Sequence, residues 1–171
     1  MSFLFRIAAQ CDFLEIWQIF QDAVEYHKTQ GIAQWDEVYP DRNTIENDIQ
    51  NQQMYLLTEN GAILAAVVLN GEQDAEYQTG KWQYTDGKIA VIHRLCVKPA
   101  EQHRGLGRKM MLLAEQELLR QGYTSVRLDA FTHNPFSCRL YESIGYRRTG
   151  EVLFRKGRFN LYEKVLHSAA D

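Results

Sequence analysis

Residues Gln102 to Lys109 read Gln-His-Arg-Gly-Leu-Gly-Arg-Lys, so two glycines and four basic or titratable side chains, His103, Arg104, Arg108 and Lys109, fall in one short segment. The chemistry open to such a segment is anion binding. Gly105 and Gly107 lack a Cβ, so their backbone N–H groups can approach an anion closely and take φ/ψ values closed to other residues. Leu106, Met110, Leu113, Ala114 and Leu118 then recur at the spacing of an amphipathic helix. The segment therefore feeds a helix start, where unpaired N–H groups and the positive end of the helix dipole favour a pyrophosphate. A dinucleotide fingerprint is excluded, because the third small position is Met110 and Lys98 to Arg104 separate the preceding strand from Gly105. A P-loop is excluded as well, since no Gly-Lys-Ser/Thr stands at the required distance.

Upstream, the chain reads Val91-Ile92-His93-Arg94-Leu95-Cys96-Val97-Lys98-Pro99. Downstream it reads Asn134-Pro135-Phe136-Ser137-Cys138-Arg139-Leu140-Tyr141-Glu142-Ser143-Ile144-Gly145-Tyr146. With the glycine segment between them, these pieces resemble the acetyl-CoA site of the GNAT acyltransferase superfamily. That family has an apolar-Val-x-Pro strand end, a Gln/Arg-x-x-Gly-x-Gly/Ala loop and an Asn-x-x-x-x-x-Leu-Tyr-x-x-x-Gly-Phe/Tyr helix. The match is motif-level from Val91 to Tyr146 and extends in order of elements from about Met54 to Leu166.

The resemblance implies an N-acetyltransferase that uses acetyl-CoA as co-substrate and no metal. An uncharged amine attacks the thioester carbon directly in a ternary complex, through a tetrahedral intermediate, and CoA leaves as a thiolate that needs a proton. The backbone of Leu95, Cys96 and Val97 is then expected to bind the pantetheine arm as an added strand would. Gln102, His103, Arg104, Gly105, Leu106, Gly107, Arg108 and Lys109 are expected to hold the pyrophosphate, mainly through N–H groups. Tyr141 stands at the family's general-acid position, and a phenol with a reference pKa of ~10 is protonated at neutral pH. Asn134 is a helix cap by its Asn-Pro placement and a pantetheine contact by the resemblance. His93, a strand residue that titrates near neutrality, is the first candidate base, with Glu25, His27 and Asp129 as alternatives; a water chain would also serve.

The acceptor side is expected in the segment Gly31 to Pro40. There Trp35 and Tyr39 either wall a pocket for an amine, with Asp36 or Glu37 as counter-charge, or pack the segment onto the sheet. Tyr77, Trp82 and Tyr84 are unusual for an inert loop and form a second wall or a homodimer contact. The acceptor is a small-molecule or peptide amine, and the sequence does not choose among amino acids, polyamines, aminoglycosides and protein amines. A non-catalytic acyl-CoA-binding regulator, or a transferase of another acyl group or to a hydroxyl, would use the same cradle.

The elements that must position these residues alternate between strand and helix. Strands are expected over Phe3 to Ala8, Met54 to Thr58, Ala62 to Leu69, Ile89 to Val97, Thr124 to Phe131, Tyr146 to Leu153 and Phe159 to Leu166. Asn60-Gly61 marks a hairpin and Lys156-Gly157 a turn. A first helix is expected from an Asp12/Glu15 capping box, a second from an Asn43/Glu46 pair, a third over Leu106 to Gln121 and a fourth over Pro135 to Ile144 behind Asn134. This order predicts an α/β (α+β) fold in one domain spanning the whole chain. With the resemblance, that is a GNAT-like acyl-CoA N-acyltransferase fold: a mixed, mostly antiparallel sheet with helices on both faces. It carries a V-shaped split between two parallel central strands, ending at Val97 and Phe131.

Bulk properties set outer limits. The chain has 171 residues and a net charge of −3, which gives no polyanion footprint and argues against nucleic acid as a partner. Cys11, Cys96 and Cys138 are scattered and lack metal spacing, as expected for reduced thiols in a cytoplasmic protein. They read as small hydrophobes more readily than as nucleophiles. No signal peptide is evident at the N-terminus, and no apolar run approaches the roughly 20 residues of a membrane span.

Overall fold

The structure is a computed structural model that describes residues 2–168. Seven strands, β1 (Phe3–Ile7), β2 (Met54–Glu59), β3 (Ala62–Asn70), β4 (Ile89–Val97), β5 (Ser125–Phe131), β6 (Arg147–Phe154) and β7 (Gly157–Val165), form one mixed sheet in the order β1-β2-β3-β4-β5-β7-β6. Among the described residues four α-helices, α1 (Phe13–Thr29), α2 (Arg42–Gln50), α3 (Leu106–Arg120) and α4 (Pro135–Ser143), alternate with these strands. None of them is long and apolar enough to cross a membrane. By contact density the chain groups into two compact units. The first runs from the N-terminus to Leu69 and includes Arg94–Leu113; the second comprises Asn70–His93 and the chain from Ala114 onward.

In the first unit β1, β2 and β3 form an antiparallel meander closed by the Asn60-Gly61 turn, whose residues take φ of 51° and 85° as the hairpin requires. Phe13, Ile16, Ile19, Phe20 and Ala23 of α1 interlock with Ile45 and Ile49 of α2 and with Met54, Leu56, Ile63, Ala66 and Val68 of the meander. Both caps differ from expectation. Asp12 stands at the N-cap position of α1 but makes no capping bond to it, because its carboxylate takes two hydrogen bonds from Arg6 of β1, at 2.7 and 2.8 Å, and one from the Ala9 N–H at 2.8 Å. Glu15 instead accepts the Ile63 N–H at 3.2 Å, tying α1 to β3. Helix α2 is capped by Asp41 rather than Asn43, through the Thr44 N–H at 2.8 Å.

In the second unit β5 pairs antiparallel with β7, and β7 with β6. Its two faces carry different loads. Tyr162 of β7 meets Tyr141 of α4, with ring centroids 6.1 Å apart, on one face. On the other, Arg127, Asp129, Leu161 and Glu163 face the connection 71–88. That connection is not a loose loop. Tyr77, which is fully buried, donates to Asp129 at 2.6 Å; the Gln83 and Tyr84 N–H groups donate to Glu163 at 2.8 and 3.2 Å; and the Lys81 N–H donates to the Thr149 carbonyl at 3.0 Å. The Arg127 guanidinium lies 4.3 Å from the Trp82 ring and donates to Gln73 and to the Tyr84 carbonyl. The segment is a strap bolted across the sheet at three charged residues, Arg127, Asp129 and Glu163.

Glu163 is 1% exposed and also accepts from Arg147 at 2.7 Å, so one carboxylate organises two strap amides and a guanidinium. Hydrogen bonds to a charged group contribute about 1.5–3 kcal/mol. Glu163→Ala is expected to lower the unfolding free energy by about 2–3 kcal/mol in urea titration. A loss below about 0.5 kcal/mol would mean that Glu163 is not the anchor of the strap.

Candidate functional site

Strand β4 carries the candidate residues His93, Leu95, Cys96 and Val97, and its pairing with β5 is brief. The parallel register joins Ile89, Ala90 and Val91 to Ser125, Val126 and Arg127 and goes no further among the described residues, although β4 continues to Val97 and β5 to Phe131. Because paired residues of a parallel ladder share a face and alternate along each strand, the next residues on the Val91/Arg127 face are His93 and Asp129. They stand two residues past the last paired position, with Ile92 and Leu128 between them and it on the other face.

His93 is half-buried, and its Nε2 lies 2.8 Å from Asn70 Oδ1. The same oxygen accepts the Glu72 N–H at 2.9 Å, which marks it as an acceptor. His93 Nε2 therefore carries the hydrogen, and the lone pair of the neutral ring is on Nδ1. Asp129, across from it, holds the Tyr77 hydroxyl. Burial, and after it the charge of Asp129, raises the Tyr77 pKa well above that of an ordinary phenol, so the hydroxyl remains a donor. Tyr141 of α4 is buried against Tyr146 and Tyr162; its ionisation is suppressed chiefly by burial and further by the nearby Asp129 and Cys138. It is a phenol at any physiological pH. Asn134 caps α4 by accepting the Ser137 N–H at 3.2 Å.

In the first unit, β4 leaves ideal strand geometry at Arg94, whose φ is +50°. A left-handed conformation in a non-glycine residue needs support. Asp48 provides it, receiving Arg94 Nε at 2.8 Å and Nη2 at 2.6 Å, while Nη1 donates to the Tyr39 hydroxyl at 2.7 Å. Tyr39 is thereby fixed to β4. Trp35, by contrast, packs on Phe20 and His27 at centroid distances of 5.4 and 5.9 Å, beside the core of the unit. The acids of the same segment are engaged as well: Asp36 accepts the Val38 and Tyr39 N–H groups at 3.0 Å, and Glu37 pairs with Lys28 at 2.9 Å.

The glycine segment is a backbone cradle. Gly105 has φ +72°, and a Cβ built there would meet no atom within 4 Å. The helical ladder of α3 opens with the Lys109 N–H to the Gly105 carbonyl at 3.1 Å, so the Leu106, Gly107 and Arg108 N–H groups precede its first rung. The side chains are less available than their charges suggest. Arg104 is held by Glu101 and by Glu59, the latter at 3.0 Å, and Lys109 Nζ sits 4.7 Å from the centroid of the Phe3 ring. The Gln102 amide donates to the Val97 carbonyl at 3.4 Å, and the Lys98 N–H to the Leu64 carbonyl at 2.8 Å. His103, at φ +65°, and Arg108 are exposed beside the cradle. Cys96 is buried in the core of the first unit, which pushes its thiol pKa well up and removes it as a nucleophile.

Tyr77 and Glu163 escape a motif search. The only signal for Tyr77 is the aromatic content of an otherwise polar connection, and none marks Glu163.

With this geometry in place, comparison with known proteins is specific. The model of the acetyltransferase (GNAT) family matches residues 13–146. The S-(2-succino)cysteine N-acetyltransferase of Bacillus subtilis is 25% identical over 94% of this chain and 93% of its own length. The L-methionine sulfoximine/L-methionine sulfone acetyltransferase of Salmonella typhimurium is 32% identical over 48% of this chain and 49% of its own. Among solved structures, a GNAT-family acetyltransferase from Streptococcus agalactiae superposes with a TM-score of 0.85 at 22% identity, covering 98% of each chain. A Salmonella typhimurium chain solved with its cofactor acetyl-CoA superposes with a TM-score of 0.71 at 20% identity, covering 100% of this chain and 98% of that one.

The burial of the thiols carries its own test. Exposed Cys11 is expected to react with an aromatic disulfide reagent within minutes at pH 8, whereas Cys96 reacts only after denaturation. Prompt labelling of Cys96 in the native protein, read by peptide mass spectrometry, would contradict the packing described.

Proposed function

Because this chain belongs to the GNAT acetyltransferase family and is an acyltransferase, we propose that it moves the acetyl group of acetyl-CoA to a primary amine of a small molecule or peptide by direct attack in a ternary complex, the whole chain serving as one catalytic domain. The observation that carries this reading is the backbone cradle. The N–H groups of Leu106, Gly107 and Arg108 stand ahead of the first α3 rung, beside a glycine whose missing Cβ leaves open space. The fit is chemical: an array of amide donors at a helix start suits a pyrophosphate, and it needs little from Arg104 and Lys109, which are engaged elsewhere.

Acetyl-CoA supplies an activated acyl carbon, whose transfer leaves a thiolate in need of a proton. Leu95, Cys96 and Val97 offer backbone groups to its arm, and Gln102 to Lys109 hold its pyrophosphate. Asn134, which fixes the start of α4, supports the arm. Tyr141, which its suppressed ionisation keeps protonated, donates the proton as the thiolate departs. His93, with its lone pair set on Nδ1 by Asn70, accepts the proton of the attacking amine, directly or through water. Tyr39, fixed by Arg94, is the acceptor-side residue of the segment 31–40, while Trp35 supports that segment from below. Both named relatives act on amino-acid derivatives, so amino acids belong in the first acceptor panel.

Release of free CoA thiol from acetyl-CoA is expected to depend on an added amine. CoA is expected to raise the melting temperature more than ADP does. Gly105→Asp strains the left-handed backbone and sets a carboxylate against the pyrophosphate, and should abolish the stabilisation by CoA, whereas Gly105→Asn, with the same strain and no charge, should retain part of it. Tyr141→Phe is expected to lower kcat by about 10²-fold or more with the stabilisation by CoA retained. Unaltered CoA stabilisation in folded Gly105→Asp would refute the cradle, and an unchanged kcat in Tyr141→Phe, with chemistry limiting, would remove Tyr141 from the reaction.

A further inference from the structure

Strand β4 departs from extended geometry at Arg94, and that residue is held through its side chain from outside the strand. The other described non-glycine residues with positive φ, Gln52, Asn60 and His103, lie in turns, whereas Arg94, at +50°, lies inside β4. A glycine would take this conformation without strain, but a residue with a Cβ persists there only when its surroundings hold it. The position is specific as well. Arg94 follows the last residue paired with β5, Val91, by three places and immediately precedes Leu95, Cys96 and Val97. A left-handed residue in a strand bends the chain as a bulge does, so the course of those three residues depends on it.

The holding group is on α2. Asp48 receives Arg94 Nε at 2.8 Å and Nη2 at 2.6 Å, a two-point contact that fixes the plane of the guanidinium as well as its place. Asp48 is itself buried, and its helix is firmly set: Ile45 and Ile49 lie in the core of the first unit together with Cys96, and Asp41 caps the helix through the Thr44 N–H. Arg94 and Cys96 are thus fixed to the same core, one by an ion pair and one by burial, while Leu95 between them is half-buried. Beyond them, the Lys98 N–H binds the Leu64 carbonyl of β3 at 2.8 Å. The third contact of the guanidinium, Nη1 to the Tyr39 hydroxyl at 2.7 Å, is a single bond to a neutral group on an exposed residue. The charged two-point contact is the stronger hold.

We propose that Asp48 is a positioning residue for the cofactor's arm: by holding Arg94 it keeps the left-handed backbone there, and so sets the course on which Leu95, Cys96 and Val97 meet the pantetheine. Asp48 acts through Arg94 and has no contact with the cofactor in this assignment. Its effect is confined to the arm, because the cradle at Leu106 to Arg108 is framed by the start of α3 and by Gly105. The assignment rests on the acetyl-transfer reading of the preceding subsection and deepens it by naming the group that shapes the strand receiving the arm. An ion pair that served stability alone would affect the arm and the nucleotide of CoA alike.

Calorimetry with CoA and with adenosine 3′-phosphate 5′-diphosphate, which is CoA without its pantetheine, reads the arm separately from the nucleotide. Variants are compared at a temperature where circular dichroism shows them folded. Asp48→Asn is expected to weaken CoA about fivefold or more and the nucleotide less than about twofold. The sharper comparison sets Asp48→Asn/Arg94→Gly against Asp48→Asn/Arg94→Ala, which both lack the ion pair and differ by one methyl group. Glycine takes the left-handed φ freely and alanine does not, so the glycine variant should bind CoA about threefold or more tightly than the alanine variant, with the nucleotide bound equally by both. Tyr39→Phe, which keeps both Asp48 contacts, should leave CoA within about twofold of wild type. Equal CoA affinity in the glycine and alanine variants, a loss in Asp48→Asn shared by the nucleotide, or a larger loss in Tyr39→Phe than in Asp48→Asn would each overturn the assignment. The comparison of glycine with alanine stands even where Asp48→Asn alone does not fold. A wild-type chain that binds CoA no more tightly than the nucleotide would contradict the acetyl-transfer reading of the arm, and this proposal with it.

Discussion

The parallel pairing of β4 with β5 ends after Val91 and Arg127, and much of the local chemistry follows from that ending. A strand that leaves its neighbour leaves backbone N–H and C=O groups that need partners, and such groups are costly if buried alone. The chain meets part of this demand itself. The Gln102 side-chain amide reaches the Val97 carbonyl. The same ending sets His93 and Asp129, each two residues beyond the last paired position, on one face, each held by a neutral partner: Asn70 for the imidazole and Tyr77 for the carboxylate. A backbone event thus determines where acid–base groups stand.

The charged groups around β4 and β5 divide into those that build and those left to act. Arg94 and Asp48 form a mostly buried pair whose geometry sustains the left-handed backbone at Arg94 and fixes Tyr39. Glu163 and Arg127 pin the strap. Arg104, which stands in the glycine motif, is spent on Glu59 and Glu101, so the cradle works through main-chain dipoles more than through its cations. This division bears on any assignment made from charge alone: the basic residues at the cradle are all exposed, yet Arg104 is paired with carboxylates and Lys109 leans onto an aromatic ring.

What the sequence disclosed, and what it hid, follows from the range of the interactions. The hairpin at Asn60-Gly61, the Asn134 cap with Pro135 behind it, the helix after Gly107 and the strand order up to Phe131 all rest on local rules, and the structure has them. Asp12 stands where the sequence places the start of α1, but the expected capping bond is absent because Arg6 on the preceding strand takes its carboxylate. The cap of α2 was misplaced by two positions because Asp41 and Asn43 are equally plausible caps in one dimension. The Tyr77–Asp129 bond joins residues separated by the whole of β4 and α3, and no periodicity reports it. The aromatic residues of the connection gave notice that something was built there, without saying what they would touch.

Amide hydrogen exchange on the native protein, with CoA and with ADP, tests the central claim most directly, because the account assigns the cofactor to backbone groups. CoA is expected to slow exchange at Ile92 to Val97, where the arm would supply the missing strand, and at Leu106 to Arg108 in the cradle. ADP is expected to slow exchange only at Leu106 to Arg108. Protection of the cradle without any at Ile92 to Val97 when CoA is bound would contradict the claim that the strand end of β4 receives the cofactor's arm.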